Sequence, residues 1–191
     1  MAAAAMSAPA VPPMSTHPSP RGGSLSDKGV VLRGSIRAER WIVRGTAKVE
    51  GDVDVGSLDV SGLLSIRGKL TVGEGRIVGR AEVDGPTEVA RSLYLQGIHH
   101  FDAAVTAGAL QVKGDNEVMG AVTIQNGFAS QGKLVVNGPL HAAALDFEGR
   151  LVAKEWVADR IEGRLKGESS RATSIRAAVI RIVRGSWTGS R

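Results

Sequence analysis

Along residues 53–72 apolar and polar side chains take turns. Val53 and Val55 flank Asp54, Leu58 and Val60 flank Asp59, Leu64 and Ile66 flank Ser65, and Leu70 and Val72 flank Thr71. A period of two marks strands with one buried face. Each run holds only two inward residues, so the strands are short, and the phase shifts near Gly56, Gly62 and Gly68. The resulting template has inward positions at offsets 0, 2, 5, 7, 11 and 13. Laid on Ile36 it selects Ile36, Ala38, Trp41, Val43, Ala47 and Val49; laid on Val53 it selects Val53, Val55, Leu58, Val60, Leu64 and Ile66. Further frames start at residues 70, 88, 105, 122 and 140, in steps of 17 or 18 residues.

Backward extension puts Val30 and Leu32 on the third face of a partial coil, and forward extension puts Ile175, Ala177, Ile180 and Ile182 in inward slots. The two extremes share words: Ser35-Ile36-Arg37-Ala38 recurs as Ser174-Ile175-Arg176-Ala177, and Ile42-Val43-Arg44-Gly45 as Ile182-Val183-Arg184-Gly185. Three two-residue faces per repeat, punctuated by glycine at the corners, predict an all-β protein: a single-stranded triangular parallel β-helix in which each short strand pairs with its equivalent one coil away. About nine coils of 17–18 residues span residues 30–185. At about 4.8 Å per coil they make a rod roughly 43 Å long. Residues 1–29, rich in Ala, Pro and Ser, read as a disordered tail, and residues 186–191 as a short C-terminal one.

The template strains in four places. At residue 88 the inward slot falls on Glu88, which either buries with His99 of the same coil or yields the slot to Val89 through a bulge that turns Glu88 outward; the bulge is the preferred reading. At residue 116 the slot falls on Asn116. Near residue 157 the frame slips by one, so that Trp156, Ala158 and Ile161 point inward, and Lys166–Ser170 reads as a corner insertion. Over Ala172–Val183 a helix also fits, since Ile175, Val179 and Ile182 share a helical face, but the β-branched run and the shared words favour strand.

Composition narrows the chemistry. Cysteine is absent, which excludes disulfides, Cys-ligated metals and thiol nucleophiles. No stretch is long and apolar enough to span a bilayer, and Pro9, Pro12 and Pro13 interrupt any leader-like run, so a cytoplasmic protein is expected. The net charge of +5 is carried by residues 160–191, which hold eight Lys/Arg against two carboxylates. Arg164, Lys166, Arg171, Arg176, Arg181 and Arg184 make that end a candidate patch for an anionic partner, a membrane surface included. Aromatics interleaved for base stacking are missing apart from Trp187, which argues against nucleic acid.

No catalytic set emerges. Gly127-Phe128-Ala129-Ser130-Gln131-Gly132-Lys133 has the spacing of a phosphate-binding loop, but Leu134 stands where a Mg²⁺-binding hydroxyl belongs, and Leu134-Val135-Val136 reads as strand where a helix must begin. Nucleotide binding is therefore not expected. His17 lies in the tail, and His99 and His100 are separated from His141 by more than two coils, so no cofactor or metal site is expected. The alternative, a trimeric hexapeptide-repeat transferase or metal-dependent lyase, requires strict 18-residue coils, which the 17/18 steps do not keep.

Neither extreme shows a capping element, so open strand edges and apolar layers are expected at both ends. With the Gly-punctuated core, such as Gly62-Leu63-Leu64-Ser65-Ile66-Arg67-Gly68-Lys69-Leu70-Thr71-Val72, the short Pro/Ser/Ala tail and the lack of catalytic motifs, residues 30–185 resemble the bactofilins. The resemblance implies a right-handed β-helix and a cytoskeletal protein that polymerises without nucleotide into non-polar filaments, a scaffold for client proteins often held at the membrane. It implies polymer contacts through the terminal coils: Val30, Leu32, Ile36 and Trp41 at one end, Ile175, Ile180 and Ile182 at the other, with Trp187 just beyond. A charge at Trp41 or Ile180 is expected to leave the fold intact and block assembly.

Overall fold

A short alternating strand leaves its backbone N–H and C=O groups unpaired until a neighbour supplies partners. Here the neighbour is the same stretch one repeat away. The structure, a computed structural model, describes residues 29–165 and 170–184. The expected tails, Lys166 and most of the expected corner insertion, and Trp187 lie outside the described residues.

Eight strands follow one another: β1 Val30–Arg33, β2 Ile36–Glu50, β3 Val53–Ile66, β4 Leu70–Val83, β5 Thr87–Phe101, β6 Val105–Val118, β7 Val122–Leu165 and β8 Ser174–Arg184. They form one sheet in chain order, with each strand parallel to the next. Ile36 pairs with Val53 and Val53 with Leu70; Trp41 pairs with Leu58 and Leu58 with Gly75; Ala47 pairs with Leu64 and Leu64 with Ala81. The 17-residue step read from the sequence is thus the register, and the sheet coils into a β-solenoid of about nine turns with no helix among the described residues. β8 stacks on the end of β7, with Trp156 opposite Ile175 and Ile161 opposite Ile180, so Ala172–Val183 is strand and not helix at its core.

The interior is filled by the template residues. Core side chains from Ile36 to Ile161, including the slipped set Trp156, Ala158 and Ile161, are 0–8% exposed. Burying each Val, Leu or Ile contributes about 1.5–3 kcal/mol, so the stacked ladders are the main source of stability. Large and small side chains alternate across turns to fill the lumen. Leu93 reaches into the slot left by Gly75, 2.8 Å from where a Cβ would stand, and the Phe147 ring occupies the space that a side chain at Gly163 would need. Phe147 then meets Trp156 edge to face, ring centroids 5.5 Å apart.

One corner is marked by a column of glycines, Gly45, Gly62, Gly79, Gly97, Gly114, Gly132 and Gly149, all at positive φ. At Gly62 (φ 137°) a Cβ would overlap the Gly45 carbonyl oxygen one turn back, so both dihedral and spacing demand glycine.

The frame placed at residue 88 begins one residue earlier. Thr87 and Val89 are the inward pair, while Glu88 is exposed and meets Lys69 at 2.7 Å. The extra residue of this 18-residue step is absorbed in the register shift between Val89 and Ser92. A buried carboxylate without a cation would be far costlier than a buried threonine, which decides where the slack goes.

Candidate functional site

The C-terminal end is where the solenoid departs from its own pattern. β8 continues the inward slots, yet Ile175 is 41% exposed, Ile180 51% and Ile182 43%, against at most 8% for the buried core residues of the turns behind them. Val179 and Val183 add exposed apolar surface on the same strand. Beneath β8 lies a cavity of about 680 Å³ whose walls include Val136, Phe147, Trp156, Ile175 and Ile182. The Trp156 indole N–H is buried there without a hydrogen-bond partner. On the third face Ser170 Oγ accepts the Leu151 N–H at 3.0 Å, Arg171 pairs with Val152 through backbone bonds to Leu151 and Ala153, and the Thr173 N–H donates to the Lys154 carbonyl at 2.9 Å.

The N-terminal end is better covered. β1 lays Val30 and Leu32 over Ala47 and Val49, and Leu32 packs against the core. Ile36 and Trp41, expected as contact residues, are each only 6% exposed. A charge at Trp41 would therefore attack the fold as well as any contact, which corrects the expectation that both substitutions spare it; Ile180 is the position that separates the two effects. Trp187 lies outside the described residues.

The basic residues do not gather on one face. Arg171, Arg176 and Arg181 follow one another around the three faces of the last turn, making a ring. Arg176 meets Glu155 at 3.4 Å. Arg164 and Arg181 line a cleft of about 370 Å³ together with Asp146, Glu148 and Glu162. Lys166 and the Arg184 side chain lie outside the described residues.

The remaining candidates resolve as structure. The phosphate-loop spacing falls within β7: Phe128, Ser130 and Leu134 are buried, and Gly132 is a corner glycine. His99 is buried and its Nδ1 lies 2.6 Å from Asn116 Oδ1. Burial pushes its pKa down, and the Asn116 contact opposes that. His100 sits outside, 2.7 Å from Asp102 and 3.4 Å from Glu117, and His141 is exposed. Among the described residues no three His, Asp or Glu side chains are arranged to hold a metal ion.

Reading the sequence missed the His99–Asn116 pair. The signal was there: both occupy offset 11 of successive frames, and a 17-residue register places them side by side. No described helix is long and apolar enough to cross a membrane. A scan against protein-family models, a search of curated proteins and a search of solved structures each find no match to the chain.

Proposed function

We propose that this chain is a structural protein of the bactofilin type, which polymerises end to end through its terminal coils and serves as a scaffold rather than an enzyme. The observation that carries this reading is the open C-terminal turn, where Ile175, Ile180 and Ile182 occupy core slots but face solvent. A second copy stacked on β8 would cover these side chains and pair the strand edge, as each inner turn does for its neighbour. This assembly requires no nucleotide hydrolysis and no metal. The filament would be cytoplasmic, with residues 1–28 reaching client proteins or a membrane surface.

Electron microscopy and sedimentation of the purified chain at physiological ionic strength, where repulsion between the ends is screened, with no nucleotide or metal added, test the reading. The expected outcome is filaments a few nanometres wide from the wild type and dispersed, folded rods from Ile180→Glu, with an unchanged circular-dichroism spectrum. Discrete monomers or trimers of the wild type at every concentration would overturn it. Filaments unchanged in Ile180→Glu would move the contact away from β8.

A further inference from the structure

Charge is graded along the rod. Over residues 29–50, Arg33, Arg37, Arg40, Arg44 and Lys48 stand against Glu39 and Glu50 alone, and residues 170–184 hold four arginines and no carboxylate. The turns between, residues 51–165, carry fifteen carboxylates against eleven basic side chains. Both ends of the described rod are cationic and its waist is anionic.

Three ion pairs at the ends share one polarity, although Glu50 of β2 meets Arg67 of the next coil in the reverse sense. Arg37, its side chain 87% exposed, meets Asp54 at 3.2 Å; Arg44 meets Asp59 at 3.3 Å; at the far end Arg176, 78% exposed, meets Glu155 at 3.4 Å. In each the arginine belongs to the terminal coil and the carboxylate to the coil behind it. In these three pairs the carboxylate lies on the inner side, and the outer side of the arginine faces whatever abuts the rod.

An in-line continuation of the register stacks Ser174-Ile175-Arg176-Ala177 of one rod on Ser35-Ile36-Arg37-Ala38 of the next, because both fill the same slots. Arg176 then lies beside Arg37 at the spacing of neighbouring strands, about 4.8 Å. A joint between like ends sets a cationic coil against a copy of itself. In the in-line joint Arg176 and Arg37 therefore meet, with the terminal-coil carboxylate Glu39 two residues further along, and like charges directly opposite on neighbouring strands oppose pairing.

We propose that the joint between rods is an anion site: a multivalent anion of the phosphate class, seated among the arginines of two abutting terminal coils, holds the ends together. This rests on the reading that the rods meet end to end. The guanidinium fork suits phosphate oxygens, two N–H groups to one anion, and arginines spaced as adjacent strands can share one ligand from both sides of the joint. The apolar layer of Ile175, Ile180 and Ile182 supplies contact, and the anion removes the repulsion around it. Assembly is then regulated by the supply of such anions rather than by nucleotide hydrolysis.

Inorganic tripolyphosphate is the probe, added to the full-length chain in about 10 mM NaCl, where the Debye length is about 30 Å and repulsion is least screened. Sedimentation should show that sub-millimolar tripolyphosphate lowers the protein concentration needed for assembly by about tenfold or more, whereas NaCl at matched ionic strength does less. The double variant Arg37→Gln with Arg176→Gln changes two exposed side chains; it should assemble at low salt without the probe and respond to it no further. Tripolyphosphate acting no better than matched NaCl, or wild type assembling fully at low salt without it, overturns the anion site. A double variant that responds as the wild type does also overturns it. Assembly of neither protein under any condition instead overturns end-to-end polymerisation itself, and the joint with it.

Discussion

His99 carries its ring into a lumen filled mainly by aliphatic and aromatic side chains, with Thr87, Asn116 and Ser130 the other buried polar residues among those described, and its state there follows from what surrounds it. Burial disfavours the imidazolium and pushes the pKa below the ordinary value of 6.5, while the contact with Asn116 Oδ1 works the other way. A neutral ring protonated on Nδ1 donates to that oxygen at 2.6 Å. His99 Nε2 and Asn116 Nδ2 are buried without partners, so the pair is half satisfied. The sign of the pH effect follows: the unfolded chain takes up a proton near pH 6.5 and the native chain only below that, so stability is full above 6.5 and falls as pH drops from there to the lowered native value. The urea midpoint of the wild type should fall between pH 7 and pH 5, and the double variant His99→Leu with Asn116→Val should lose most of that slope. Asn116→Val alone strands the His99 N–H and should cost about 1–3 kcal/mol at pH 7, more than the double variant does. An equal pH slope in wild type and double variant would show that His99 does not govern it.

At the scale of a single turn, corner geometry and inward slots are separate requirements, and glycine substitutions tell them apart. Gly62→Ala forces φ 137° on an alanine and drives its Cβ into the Gly45 carbonyl, so a loss of about 1–3 kcal/mol or more is expected. Gly127, within the phosphate-loop lookalike, is not at positive φ and has open space around its would-be Cβ. Gly127→Ala should be neutral or stabilise by about 0.4–1 kcal/mol, through the unfolded chain. Thermal midpoints of the two variants check this, and a Gly127→Ala loss as large as that of Gly62→Ala would sink the distinction. The same separation explains what could be read from the chain in advance. Inward slots such as Val53, Leu58 and Leu64 are apolar because they stack, so their period was legible and the register followed from it. The slack of an 18-residue step is not encoded in the slots, since an extra residue fits at any corner; the choice between Thr87 and Glu88 was made by the cost of burying a carboxylate. Exposure at the ends was legible for Ile175 and Ile180 but not for Trp41, which is only 6% exposed in the first complete coil although β1 pairs with a different face, Ala47–Glu50. The arginine ring was visible as a run of charge in sequence, whereas its distribution over three faces required the register of β8.

Across the whole rod each turn touches only the turns on either side, so stability is a chain of nearest-neighbour terms and an end turn has one where an inner turn has two. The contacts of β8 run back to β7 alone among the described strands, its inward isoleucines are half exposed, and the cavity of about 680 Å³ beneath it removes packing from its one neighbour. β8 should therefore open locally at a fraction of the global unfolding cost, while the amides of β4, β5 and β6 exchange only with large-scale unfolding. Stacking a second rod on β8 gives that turn its missing neighbour. Native-state hydrogen exchange of the wild type, dilute and then assembled, reads the difference. Amides of residues 175–182 should exchange fastest in dilute rods and slow by about tenfold or more on assembly, equivalent to about 1.4 kcal/mol or more of added local stability. Protection in β4, β5 and β6 should not change, because assembly through the ends adds nothing to the waist. Slowed exchange confined to outward positions along the flanks would mean that rods associate side by side, with the anionic waist of one against the cationic end of another. Unchanged exchange in β8 on assembly would remove the open C-terminal turn from the contact.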